Sequence, residues 1–178
     1  MHSKRFNRVT KLEQKLINKE KDMPFIEIIT DSKSQSQLNK VITKRMVNNC
    51  DVLYIKDKNI ENTKNIKLET LILNRNIDNN EIMNKILGNS KNVILNLDLN
   101  TNIKQNMENN IISFGYNSQS DITVSSVEED QVLICIQRTI TSIYNRKIEP
   151  QEIKVNVKSD ISVYNIMIII ALTALYAR

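Results

Sequence analysis

The polar residues that could do chemistry follow the hydrophobic run Phe25–Thr30 and precede an amphipathic stretch ending at Met46. A strand that passes through a polar loop, here Asp31–Ser36, into a helix is typical of phosphate sites in α/β proteins, because the first N–H groups of the helix face the loop and its dipole is positive there. The same side chains could instead cap the helix. The residues concerned are Ser32, Ser34, Gln35 and Ser36.

A working phosphate loop uses glycines for close backbone approach and a lysine for the β- and γ-phosphates. Neither feature is in place between Asp31 and Ser36, and the only two glycines of the chain are Gly88 and Gly115. The stretch is therefore either a nucleotide site with unusual chemistry or the remains of one.

Two further groups of polar residues are candidates for ligand binding. Asn96 and Asp98 lie at the end of the predicted strand Val93–Leu97, where ligands bind in open parallel sheets, although polar residues also simply end strands there. Asn165 lies near the start of the last apolar helix and is equally compatible with an ordinary capping role.

The composition excludes several kinds of site. Two cysteines, Cys50 and Cys135, and one histidine, His2, are too few for a zinc site, and His2 at the N-terminus is a poor general base. The absence of Trp argues against a platform for stacking bases. Both cysteines fall in apolar runs, which predicts buried free thiols in a reducing, cytoplasmic compartment. We expect no metal site and assign no catalytic residue.

Strands alternate with helices over the first two thirds of the chain, which predicts an α/β fold with a mostly parallel sheet and flanking helices. A small antiparallel β-meander follows, and then a terminal buried helix. We expect a loop at Lys56–Lys67 and a turn at Lys147–Gln151. Asp78 is expected to be the N-cap of the helix Asn80–Leu87. The predicted strands are Phe25–Thr30, Cys50–Ile55, Leu68–Leu73, Val93–Leu97, Asn110–Phe114, Ile122–Val127, Gln131–Gln137 and Ile153–Val157; the predicted helices are 35–47, Asn80–Leu87, Asn100–Glu108 and Ile161–Arg178.

The sequence predicts a basic N-terminal helix, residues 1–23, followed by a single α/β domain, residues 24–178. Residues 1–22 contain seven basic and three acidic side chains and so carry most of the net charge of +5. The helix could pack on the domain or contact a partner or an anionic surface. No signal peptide is expected, and the apolar run Ile166–Ala177 is too short to span a bilayer.

Several weak motifs, taken in order, resemble the central ATPase domain of the Mur ligase family, which includes folylpolyglutamate synthetases. Asn96-Leu97-Asp98 is similar to the family's N-A-D-D run, and Ile112-Ser113-Phe114-Gly115 to its I-T-F-G strand. Ser120-Asp121-Ile122 and Val163-Tyr164-Asn165-Ile166 follow where the family has A-D-I and the second Asn of G-x-H-N-x-x-N. The resemblance spans about residues 25–178 and implies a P-loop-like fold, bound ATP and Mg²⁺, and a bacterial cell-wall or polyglutamate pathway.

The departures from the family pattern fall on its chemical residues. In the T-G-T-N-G-K-T-T loop the glycines become Asp31 and Ser34, the lysine becomes Gln35 and the magnesium-binding threonine becomes Ser36. The metal-binding Glu after the second strand is missing. Asp78 lacks the His that follows it in the family, and Ile161 and Ser162 replace the adenine-side His and Asn. The family's N- and C-terminal domains are expected to be missing as well.

Three functions remain open. The first is a catalytically inactive Mur-ligase-like domain with an interaction or regulatory role, which contacts another protein or itself; no cofactor is expected for it, with ATP and Mg²⁺ as the alternative. The second is an ATP-binding subunit of an amino-acid ligase completed by partner chains. The third is a binder of anionic surfaces or nucleic acid through the N-terminal helix, although the sequence gives no strong nucleic-acid signal.

Overall fold

The computed structural model describes residues 25–43, 46–47, 50–99, 109–157 and 161–178. These residues form an eight-stranded sheet, a two-stranded sheet and three α-helices, so the predicted α/β class is confirmed. The predicted N-terminal helix, residues 1–23, and the predicted helix Asn100–Glu108 lie outside the described residues.

The bounds of the elements follow the hydrophobic pattern closely. The strands are β1 (Phe25–Ile29), β2 (Asp51–Ile55), β3 (Leu68–Leu73), β4 (Ser90–Asn96), β5 (Asn110–Phe114), β6 (Ile122–Val127), β7 (Gln131–Ile136), β8 (Ile140–Thr141), β9 (Lys147–Ile148) and β10 (Gln151–Asn156). The helices are α1 (Ser32–Val41), α2 (Asn80–Gly88) and α3 (Val163–Leu175), with a 3-10 helix at Asp57–Asn62.

The strand order of the large sheet is β10-β7-β6-β5-β4-β3-β1-β2. Strands β1 to β6 pair in parallel, whereas β7 and β10 add to the edge in antiparallel pairing. The predicted meander is therefore part of the main sheet. Because the chain moves from β1 to β2 in one direction and then returns past β1 to β3, the order reverses between β1 and β3. In open sheets ligands bind at such a point, outside the carboxyl ends of the strands.

Each face of the sheet has its own hydrophobic cluster, as expected from the alternation of side chains along a strand. Ile26 and Ile28 of β1 face the cluster that includes Leu38 of α1 and most of the apolar residues of α3. Ile29 faces the opposite cluster, together with Ile60 of the 3-10 helix and the apolar stripe of α2. The helix α3 is thus a buried core element, as its sequence predicts. No helix within the described ranges is both long and apolar enough to span a bilayer.

Four local predictions are wrong. Helix α1 begins at Ser32, so no loop Asp31–Ser36 exists, and it ends at Val41 within a β-branched run of poor helix propensity. Asn79, not Asp78, is the N-cap of α2, since its side chain accepts from the Glu81 and Ile82 N–H groups. The expected loop Lys56–Lys67 contains a 3-10 helix, and the expected turn Lys147–Gln151 contains β9, which pairs with β8.

Candidate functional site

The carboxyl ends of the parallel strands carry a row of buried polar side chains. Thr30, Asn74 and Asn96 each follow residues that are in register across β1, β3 and β4. The Asn74 amide donates to Thr30 Oγ1 (3.3 Å), and the Asn96 amide donates to Asn74 Oδ1 (2.8 Å). Asn96 Oδ1 in turn accepts from the Asp98 N–H (2.9 Å). The row satisfies most of its own hydrogen-bonding capacity, which buried amides require.

Asp31 occupies the position where a phosphate would approach α1. Its Oδ1 atom accepts from the N–H groups of Lys33 (2.8 Å) and Ser34 (2.9 Å), and its carbonyl accepts from the Gln35 N–H (2.9 Å). Asp31 is therefore the N-cap of α1. Burial disfavours the charged form, but the hydrogen bonds from Ser34 and Lys33 outweigh it, so the pKa of Asp31 is lowered. The carboxylate uses N–H groups that an anion would otherwise bind.

The predicted loop residues lie on the first turns of α1. Ser34 is buried, Gln35 is half-buried, and Ser32 and Ser36 are exposed. The prediction that the serines cap the helix is wrong, because Asp31 accepts the two capping bonds. Asp, Asn and Ser are comparable N-cap residues, so the sequence alone did not distinguish Asp31 from its serine neighbours.

Asn165 lies in the first turn of α3 and is fully buried. Its amide nitrogen donates to Gln37 Oε1 (2.5 Å), which also accepts from the Ser162 N–H (3.2 Å). The Asn165 N–H donates to Ser162 Oγ (3.2 Å), so Ser162 caps α3. Gln37 therefore joins the middle of α1 to the start of α3. The Asn165 Oδ1 atom is buried and has no hydrogen-bond partner within the described structure.

Asp98 is held by the loop after β5 and by α3. Its carboxylate accepts from the N–H groups of Tyr116 (2.7 Å) and Asn117 (3.1 Å) and from the Tyr164 hydroxyl (3.0 Å). The fit depends on Gly115, where a Cβ atom would lie 2.8 Å from the Asp98 carboxyl atoms. Burial, followed by the contact with Asp98, raises the pKa of Tyr164 to about 12, so this hydroxyl remains a donor at neutral pH.

Asp121 joins β5 to β6, which share a single register pair, Phe114 and Ile122. Its Oδ2 atom accepts from the N–H (2.8 Å) and hydroxyl (2.7 Å) of Ser113, and its Oδ1 atom pairs with Arg138 (3.0 Å). The conformation of this segment is thus explained by its own hydrogen bonds, with no need for a ligand.

The structure brings most of the predicted site residues to one edge of the sheet. Tyr164 contacts Asp98, and the adjacent Asn165 contacts Gln37 of α1. Thr30, Asn74 and Gln37 were missed as site residues; the first two could have been found because each is a polar residue directly after a hydrophobic strand. Among the described residues, no group of three or more His, Cys, Asp or Glu side chains could hold a metal ion.

The polar side chains at the carboxyl edge of the sheet are mostly hydrogen-bonded to one another and to the backbone. Asp31 caps α1, Asp98 joins β4 to α3, and the amides of Asn74 and Asn96 bond each other. Comparison with known proteins gives no family for the chain, since no family model and no curated protein matches it.

Proposed function

We propose that this chain is a Mur-ligase-like, P-loop-derived α/β domain without ligase catalysis, which acts by binding another protein or a second copy of itself. The observation that carries the proposal is the Asp31 carboxylate on the first N–H groups of α1. The order of the sequence motifs supports the family, and the mostly parallel sheet is compatible with it.

Electrostatics at the start of α1 oppose nucleotide binding. A phosphate at this point would meet the charge of Asp31, whose lowered pKa keeps it ionised at neutral pH. Gln35, at the position of the family's lysine, is neutral and cannot form the charge-assisted bond that stabilises a transferring phosphoryl group. Losing one such preorganised group costs on the order of 3 kcal/mol of transition-state stabilisation.

Apolar surface supports a role in protein contact. Leu99 and Tyr116, near the carboxyl edge of the sheet, are 44% and 52% exposed. An apolar groove of about 380 Å³ lies between the ends of α1 and β10 and the outer side of α3, and its lining includes Val41, Val157 and Ile170. Tyrosine is enriched at protein interfaces, and contiguous exposed apolar surface marks interaction sites.

Calorimetric titration of the full chain with ATP and Mg²⁺ tests the absence of ligase chemistry. We expect no binding in the micromolar range and no release of phosphate. An Asp31→Ala variant is the matched comparison, because it frees the N–H groups without restoring the lysine. We expect weak ATP binding in this variant, still without hydrolysis. Micromolar binding with phosphate release by the unaltered chain would refute the proposal.

A second candidate function is an ATP-binding subunit of an amino-acid ligase whose remaining parts come from partner chains. It is favoured by Asn165 Oδ1, which is buried and unpartnered at the edge of the sheet where the family binds adenine. This function predicts that a nucleotide analogue binds only when the partner chains are present, and that Asn165→Ala then weakens its binding about two- to tenfold, the loss of one neutral hydrogen bond. Equal affinity of both forms would exclude it.

A further inference from the structure

Glu27 is a carboxylic acid in the interior of the sheet. It lies in the middle of β1, opposite Leu53 of β2 and Leu71 of β3, and its exposed fraction is 0%. Because successive side chains of a strand point to opposite faces of the sheet, Glu27 lies on the face that packs against the 3-10 helix and α2. A charged carboxylate in such surroundings is costly unless several donors or a cation compensate it.

Within the described residues the Glu27 side chain has one hydrogen-bond partner, and that partner is shared. The Thr63 hydroxyl lies 2.9 Å from Glu27 Oε1 and also 2.9 Å from the Ile60 carbonyl oxygen. A hydroxyl has a single hydrogen, so it cannot donate to both acceptors. If Glu27 is protonated, it donates to Thr63 Oγ1, and Thr63 donates to Ile60. If Glu27 is ionised, one of the two hydrogen bonds is lost. Glu27 Oε2 has no partner within the described structure in either state.

Among the side chains that the structure describes, no charged group on the surrounding elements compensates the carboxylate. Lys64 bonds Glu61 (3.1 Å) and Lys91 bonds Glu69 (2.8 Å), in both cases away from Glu27. Burial, opposed only by the Thr63 hydrogen bond, raises the pKa of Glu27 to about 7. The other described charged side chains on these elements and their flanks are Asp31 after β1, Asp51 on β2, Lys56 and Lys67 beside the 3-10 helix, Arg75 after β3, Asp78 before α2, and Glu81 and Lys85 on α2.

We propose that Glu27 and Thr63 form a proton-dependent latch, in which neutral Glu27 holds the 3-10 helix Asp57–Asn62 against the sheet and ionisation loosens it. Thr63 is the C-cap of that helix, so the loss of either bond acts at its end. The segment joins the edge strand β2 to β3, and its opening uncovers Ile60 and the neighbouring part of the apolar cluster. The latch is independent of the proposed function.

Hydrogen exchange of the full chain between pH 5 and 9, corrected for intrinsic exchange rates, tests the latch. When the segment opens, Glu27 is exposed to water and ionises at its ordinary pKa of 4.5. When the segment is closed, the pKa of Glu27 is about 7. Protection of residues 56–67 should therefore fall by up to about tenfold per pH unit as pH rises towards 7, and then level off. Glu27→Gln, which cannot ionise, should remove this dependence. Thr63→Val should keep it and lower the protection at acidic pH.

The helix α3 is the internal reference, since it packs on the opposite face and is exposed only when the whole fold opens, so residues 56–67 should be less protected than α3 at every pH. Equal protection of the two segments at every pH would overturn the latch, because residues 56–67 would then open only with the whole fold. An unchanged slope in Glu27→Gln would overturn it as well. If that variant does not fold, infrared titration of the wild-type carboxyl decides the question: a midpoint near 7 for one buried acid supports the latch, and its absence overturns it.

Discussion

Gly115→Ala should be the most damaging small substitution at the carboxyl edge of the sheet. Gly115 has φ +151°, a conformation that residues with a Cβ atom rarely adopt. Its surroundings also leave no room for a Cβ, which would meet three atoms of the Asp98 carboxyl group at 2.8 Å. Asp98 would have to move away from the N–H groups of Tyr116 and Asn117.

The expected loss of stability is the sum of the backbone strain at residue 115 and the weakened hydrogen bonds of Asp98. Backbone strain of this kind costs on the order of 1–3 kcal/mol. Weakening the hydrogen bonds to the partly exposed Asp98 adds about 1 kcal/mol. We therefore expect the free energy of unfolding, measured by urea denaturation followed by circular dichroism, to fall by about 2–4 kcal/mol with an unchanged dependence on urea.

Gly88→Ala is the matched control, because Gly88 is the other glycine of the chain, lies at the end of α2, and has no atom within 4 Å of its would-be Cβ. We expect it to be neutral or to stabilise by up to about 1 kcal/mol. Asp98→Ala removes the steric conflict, so the cost of Gly115→Ala should be smaller in that background. Equal effects of the two glycine substitutions would refute the reasoning.

The remaining predictions concern the other anchors of the site. Asp31→Ala should lower the free energy of unfolding by about 1 kcal/mol at pH 7, measured by thermal denaturation. Because the folded pKa of Asp31 is lowered, its contribution is complete above pH 3.8 and is lost as pH falls through the folded value, so the two proteins should converge in acid. Asp121→Ala should cost about 2 kcal/mol in urea denaturation, since it leaves the N–H and hydroxyl of Ser113 without their acceptor. Tyr164→Phe should cost about 1 kcal/mol by removing the bond to Asp98 while keeping the ring.

The eight strands of the large sheet could be predicted from the sequence because most of them are short apolar runs between polar segments, whereas the two-residue strands β8 and β9 were missed. Leu68–Leu73 and Asn110–Phe114 agree with the structure to the residue. The start of α1 could not be predicted from the sequence, since Asp31, Ser32 and their polar neighbours are equally common in loops and in the first turn of a helix. Only the observed hydrogen bonds show that Asp31 ends the strand segment and begins the helix.

The candidate site was predicted in part for a similar reason. Asn96, Asp98 and Asn165 could be found from their positions at the ends of elements. The row from Thr30 through Asn74 to Asn96 depends on the strand order, which places β3 between β1 and β4 and sets their register. Such long-range pairing is not encoded in any local pattern.

The most direct test of the central proposal is calorimetry of the full chain with ATP and Mg²⁺, combined with an assay for released phosphate. We expect no micromolar binding and no phosphate, because the Asp31 carboxylate occupies the N–H groups at the start of α1 and Gln35 stands in place of a lysine. Micromolar affinity accompanied by steady release of phosphate would contradict the proposal.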